Sequence, residues 1–216
     1  MTTVEVWVDF SCPWCYLGKR RLERAAEIAG TPLEARWRSF QLDPAAPRFG
    51  APGAGEPIER YLAAKLGGPE RAREAQRRVS ELAAAEGLDY RLDLTRRVNT
   101  VDAHRLLHEG RRQGRAAAIA ERLFAAHFTE GLRIDDPEAL ARLAAEAELD
   151  PERAAAVLGS EEHLDAVADD IDAATRIGVT GVPFFLLGGR LAVGGAQDAR
   201  LLAEAIARAE AEGARR

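Results

Sequence analysis

"SCPWCYLG" occupies Ser11–Gly18, and its two cysteines, Cys12 and Cys15, are the only ones in the 216-residue chain. Two thiols three positions apart, with Pro13 and Trp14 between them, admit three readings: a redox pair, half of a metal site, or two inert buried thiols. The flanking segments weigh among them. Upstream, "TVEVWVDF" (Thr3–Phe10) is β-branched and aromatic and reads as a buried strand. Downstream, Pro13 suits the first position of a helix, where its missing N–H has no partner to lose. Cys12 is then the N-cap and Cys15 the third helical residue. Leu17, Leu22, Ala25, Ile28 and Ala29 keep helical spacing down to Gly30, a C-terminal stop. "LEARWRSF" (Leu33–Phe40) alternates apolar and polar residues and reads as a second strand. Residues 1–40 are therefore β-α-β.

The stretch from Asp43 to Pro57 holds Pro44, Pro47, Gly50, Pro52, Gly53 and Gly55, and reads as a loop at a junction. From Pro57 to Ile177 the chain is rich in Ala, Leu, Glu and Arg, and helix follows helix. Pro57, Pro69, Pro137 and Pro151 mark starts, Asp136 and Asp150 stand as N-caps, and Gly67, Gly87 and Gly159 mark stops. Leu88–Thr100 is the one long stretch there without a helical pattern. "VPFFLLGGRLAVGG" predicts a β-hairpin with Gly188 and Gly189 as a two-residue turn. Asp198–Glu212 predicts a last amphipathic helix stopped by Gly213.

Composition narrows the functions. The chain is 47% hydrophobic with a formal net charge of −5. Its arginines are spread among Glu and Asp without forming a basic stripe, so nucleic acid is not an expected partner. No apolar run approaches the roughly 18 residues of a membrane span. Met1–Phe10 lacks the features of a secretory signal. The expectation is a cytoplasmic protein, in a compartment where thiols are mostly reduced and a structural disulfide is out of place.

At a helix start, Cys12 faces free backbone N–H groups and the positive end of the helix dipole, and both favour the thiolate. Cys12 would attack a substrate sulfur, and Cys15 would then attack Cys12 to release the product. A Cys-x-x-Cys placed between a strand and a helix is far more specific than the motif alone. The zinc alternative needs two more ligands. His104 and His108, four apart on a helix, complete a Cys₂His₂ set on paper, but nearly ninety positions away, unlike a compact zinc module. No metal is expected.

These residues resemble a known family. "VDFSCPWCYLGKRRLE" and "GVTGVPFFLLGGRLAVGGAQ", with "VNTVDAHRLLH" more loosely, are similar to the DsbA-like branch of the thioredoxin superfamily and, within it, to FrnE-like cytosolic oxidoreductases. The resemblance implies an α/β thioredoxin fold with a large all-helical insertion after the second strand. The thioredoxin-like part is expected at residues 1–42 and 160–216, and the insertion at 43–159. It also implies a cis peptide bond before Pro183, facing the cysteines, with the Val182 N–H and C=O beside Cys12 as an edge for substrate. On the residues alone, Pro183 reads as a trans proline opening an edge strand, since few X-Pro bonds are cis. The implied activity is thiol–disulfide exchange with protein or small-molecule substrates. No cofactor is implied as bound, and glutathione is admitted as a co-substrate. The rival within the superfamily is the kappa-class glutathione transferase and hydroxychromene-carboxylate isomerase group, which usually has serine in place of Cys12 and lacks a second cysteine.

Further residues complete the expected site. Trp14, with a partly exposed ring, serves as substrate platform or as cover for the pair. Gln197 and Asp198 open the last helix, where they cap it or, by resemblance, hold the γ-glutamyl end of glutathione. Asn99 and His104 are expected to line a cleft under the helical block. Asp9 reads as an exposed acid at a strand end, with a buried proton relay as the alternative. His127 and His163 have no evident company in the sequence.

Overall fold

In a computed structural model the structure describes residues 2–213. Alternation along β1 (Thr2–Val8) sets the architecture. Val4, Val6 and Val8 point to one face, where they join the core with Leu22 and Ala25 of α1 (Pro13–Ala29) and Leu202 and Ile206 of α9 (Ala199–Gly213). Trp7 points to the other face and packs with Ala174, Val179 and Phe184. Its indole N–H donates to the Asp170 carbonyl (3.0 Å), which ties α8 (Leu164–Arg176) to the sheet. β1 is central. It pairs parallel with β2 (Leu33–Ser39) and antiparallel with β3 (Phe184–Leu187), and β3 pairs antiparallel with β4 (Leu191–Gly194). The order β2-β1-β3-β4, with α1 and α9 on one face, is a thioredoxin fold.

Between β2 and β3 lie α2 (Ile58–Leu66), α3 (Pro69–Ala85), α4 (Val101–Arg112), α5 (Ala116–Phe128), α6 (Pro137–Glu146), α7 (Pro151–Leu158) and α8. The helical insertion after the second strand is therefore as expected. Asp136 and Asp150 cap α6 and α7, their side chains accepting from the Glu138 and Glu152 N–H groups. An aromatic stack fastens the insertion to the start of α1: Phe10 and Tyr16 lie 4.9 and 5.3 Å from Phe124, and Tyr90 lies 5.3 Å from Phe128, ring centre to ring centre. None of the described helices is long and apolar enough to cross a membrane.

Three expectations need correction. β1 ends at Val8 rather than Phe10, which frees Asp9 from the ladder. The hairpin carries one residue more than a two-residue turn. Gly188 and Gly189 both take positive φ and the Arg190 N–H closes onto the Leu187 carbonyl, but Leu187 pairs with Leu191, so Arg190 is extra. His163 has company: its Nε2 lies 3.0 Å from Glu109 Oε2. Gly213 is the last residue of α9, and the stop expected there borders on residues 214–216, which lie outside the described residues.

Glu109 is fully buried on α4 and receives Gln113 (2.8 Å), His163, Arg153 (3.4 Å) and Arg112 (3.5 Å). Burial pushes its carboxyl up, but these donors and positive charges outweigh it and hold the pKa at about 2. An unfolded glutamate titrates near about 4.3. The stabilisation is therefore complete above that value and drains away as the pH falls toward 2. Glu109→Gln should lower the urea-unfolding free energy by roughly 3 kcal/mol at pH about 7, and by about half that at pH about 3. An equal loss at both pH values would show that the charge of Glu109 contributes nothing.

Candidate active site

The loop between β1 and α1 delivers the two cysteines to unequal places. Cys12 is the N-cap of α1, in extended conformation (φ −96°, ψ 111°), with its N–H on the Asp9 carbonyl (3.0 Å). Its Sγ faces the Val182 carbonyl at 3.5 Å, and the residue lines a cleft. Cys15 is one turn further in and fully buried, and its Sγ accepts the Asp9 N–H (3.5 Å). Burial pushes the Cys15 thiol well above its ordinary pKa, and the neighbouring Cys12 sulfur pushes the same way. Both thiols are free. One sulfur thus meets the cleft while the other waits behind it.

Pro183 closes the site from the sheet side. The Val182–Pro183 peptide bond is cis. The Pro183 carbonyl accepts from Gly195 (2.8 Å), so the loop is anchored to the end of β4. Its ring presses on α1 at Gly18, where a Cβ would lie 2.7 Å from the Pro183 Cγ and 3.3 Å from the Phe185 ring. Among the described residues the Val182 N–H has no backbone or side-chain acceptor. On the opposite side, Tyr90 donates its hydroxyl to the Pro13 carbonyl (2.6 Å) and fixes the first turn. Burial, and next the charge a Cys12 thiolate would carry, push the Tyr90 phenol far up, so it stays protonated as a donor.

Asp9 is buried rather than exposed (1%). One carboxylate oxygen accepts from Ser11 (3.1 Å), the other from Leu42 (2.7 Å). Burial alone would raise its pKa, but His104 and the two backbone donors overcome it, and the carboxyl sits below its ordinary value. The His104 Nε2 stands 3.8 Å from Asp9 Oδ1, an ion-pair separation beyond hydrogen-bond reach. His104 itself is fully buried against Phe10 (4.8 Å), with neither ring nitrogen hydrogen-bonded among the described residues. The expected cleft-lining role is therefore corrected for His104, which faces Asp9. It is corrected also for Asn99, whose amide donates to the Ala46 carbonyl (2.8 Å) and whose oxygen accepts from Val101 (3.1 Å) at the start of α4.

Trp14 is half-buried and lines the cleft. Gln197 and Asp198 are exposed and do not line it. Asp198 accepts from Arg200 (2.9 Å) at the start of α9, and Gln197 donates to the Gly194 carbonyl (2.8 Å). The paper Cys₂His₂ set does not converge, because His108 turns to Ser39 (3.1 Å) and Asp170 (3.2 Å). Glu109, Glu162 and His163 do cluster, but the Arg153 guanidinium reaches both carboxylates (3.4 and 2.5 Å) and makes the group an ion-pair network. Sequence reasoning missed Gly18 and Tyr90, and it expected a cleft under the helical block with the wrong lining: its walls come from α2, α3 and the Leu88–Thr100 stretch.

A DSBA-like thioredoxin domain model matches residues 3–207. A probable DsbA oxidoreductase from Streptomyces coelicolor is 38% identical, with 98% of this chain and 91% of that chain covered and a TM-score of 0.89. A 2-hydroxychromene-2-carboxylate isomerase is similar at 18% identity, 98% coverage of both chains and a TM-score of 0.72. The cytosolic disulfide reductase DsbM of Pseudomonas aeruginosa is similar at 22% identity, 99% and 100% coverage and a TM-score of 0.65. DsbM has also been solved with glutathione. The last two likenesses concern the fold.

Gly18 tests the packing of this site. In a helix interior alanine is favoured over glycine by about 1 kcal/mol, but overpacking a tight contact costs about 1–3 kcal/mol. At 2.7 Å from a proline ring the second effect wins. Gly18→Ala should lower stability by about 1 kcal/mol and slow the reaction of Cys12 with disulfides. A rise in melting temperature would show that the contact between α1 and Pro183 is slack.

Proposed function

The chain belongs to the DSBA-like thioredoxin domain family, and we propose on that premise that it is a thiol–disulfide oxidoreductase in which Cys12 is the nucleophile and Cys15 the resolving thiol. The observation that carries this reading is the inequality of the two sulfurs. Cys12 faces the cleft and the Val182 carbonyl, while Cys15 is fully buried with the Asp9 N–H on its Sγ. A thiolate on Cys12 attacks a substrate disulfide, forming a mixed disulfide and expelling one substrate thiolate. Cys15 then loses its proton and attacks Cys12 Sγ, expelling the second. The protein gains a Cys12–Cys15 disulfide, and the substrate takes two electrons and two protons.

The free Val182 N–H and the Val182 carbonyl give a substrate backbone an edge to pair with during the first attack. Glutathione is the natural candidate for returning the pair to the dithiol, in keeping with the DsbM–glutathione structure. We take the cytoplasm as the compartment, where a lone pair of free cysteines stays reduced between turnovers. A glutathione-dependent isomerase of the hydroxychromene-carboxylate type would use Cys12 but has no use for Cys15.

Cys12→Ser should abolish disulfide reduction. Cys15→Ser should still attack but fail to release, so that mixed disulfides with glutathione accumulate and are seen by mass spectrometry. Trapping by the Cys12 variant alone would reverse the roles, and full turnover without Cys15 would favour the isomerase. The raised Cys15 pKa also predicts that release of a preformed Cys12 mixed disulfide quickens with pH from about 6 to about 9. A pH-independent release would contradict the resolving role.

A further inference from the structure

The cleft at Cys12 has a volume of about 310 Å³, at the small end of the roughly 300–1,000 Å³ of ligand pockets. Its walls are apolar: Trp14, Leu62, Val79, Leu92, Val98 and Phe128 all face it. A space of this size and character takes one aromatic ring or a short alkyl arm and strips it of water. It does not take a folded chain.

The charge around the cleft is uneven. Its one acidic side chain, Asp43, is matched by Arg97 (2.8 Å), whose guanidinium lies 4.6 Å over the Tyr61 ring. Two further cations line the same cleft without a carboxylate partner among the described residues. Lys65 reaches the Tyr61 hydroxyl (3.4 Å) and lies over its ring (5.5 Å to the centre), and among the described residues Arg96 makes no side-chain hydrogen bond or ion pair. An apolar cleft lined by a thiol and by two cations without carboxylate partners describes its ligand.

Resting on the thiol–disulfide reading, we infer that the substrate is a low-molecular-weight disulfide whose arm is apolar and carries an anionic group, with Lys65 and Arg96 as the residues that select the anion. The arm lies along Leu62, Val79 and Phe128, the anion meets the two cations, and the disulfide is left at Cys12. The chemistry is the two-electron exchange of the Cys12–Cys15 pair. The reduced protein supplies the electrons, and two equivalents of substrate thiol leave for each Cys12–Cys15 disulfide formed.

Single turnover with the pre-reduced protein tests this without a second reductant. Three disulfides are compared: dithiobis(nitrobenzoate), aromatic and anionic; dithiodipyridine, aromatic and neutral; and cystamine, aliphatic and cationic. Intrinsic reactivity cancels when each rate is expressed as the wild-type to variant ratio. Lys65→Gln and Arg96→Gln should each lower the anionic-to-neutral rate ratio about threefold, and the double variant about tenfold. Lys65→Glu should lower it further and raise the relative rate of cystamine. An unchanged ratio in the double variant, with folding verified by its melting temperature, overturns the inference. So does a wild-type protein that reacts faster with a protein disulfide than with either aromatic one. If the reduced wild type reacts with none of the disulfides, the oxidoreductase reading itself fails, a separate result.

Discussion

Gly18 has no Cβ, and the Pro183 ring occupies the space where one would lie. That contact sets how closely α1 approaches the loop before β3, and the site depends on it. It brings Cys12 Sγ to 3.5 Å from the Val182 carbonyl. The two sides are held independently. α1 is fixed by the Tyr90 hydroxyl on Pro13 and by the aromatic stack with Phe124, and the loop is fixed by β1–β3 pairing and the Gly195 N–H on Pro183. Neither segment makes the site alone, since one carries the thiols and the other the backbone edge.

The same arrangement separates the two sulfurs. A helix start sets Cys12, itself buried, at the wall of the cleft, and one helical turn takes Cys15 behind it into the core. The buried Asp9 bridges β1, Cys15 and the Leu42 segment through its N–H and its carboxylate. The helical insertion adds what the sheet lacks, a walled approach to Cys12. The cleft is built by side chains from α2, α3 and the Leu88–Thr100 stretch, which meet only because the insertion folds back over α1.

Features set by neighbours in the chain were legible in the sequence. The strand before Cys12, the proline at the first helical position, the Gly30 stop, and the prolines opening α3, α6 and α7 are local signals, and the structure has each of them. Features set by distant packing were not. Asp9 looked like an exposed strand-end acid because the residues that cover it, His104 and Leu42, lie far along the chain. His104 looked like a cleft residue because helical spacing does not say which face turns inward. Gly18 drew no notice, since a glycine inside a helix shows its reason only when Pro183 is placed beside it. The cleft's actual walls left no mark because Leu62 and Val79 read as the ordinary apolar face of amphipathic helices. The extra hairpin residue, Arg190, escaped because a Gly-Gly pair fits a two-residue turn equally well.

The proposed function requires Cys12 and Cys15 to interconvert as one redox couple. Its most direct test is equilibration in glutathione buffers of graded potential, followed by acid quenching and thiol counting. Both thiols should vanish together in a single two-electron transition, giving an internal disulfide. The midpoint should lie between the extremes of about −270 and about −120 mV known for related sites, since Pro13 and Trp14 add no charge between the sulfurs. Loss of only one thiol, as stable glutathionylated Cys12 at every potential, would contradict it.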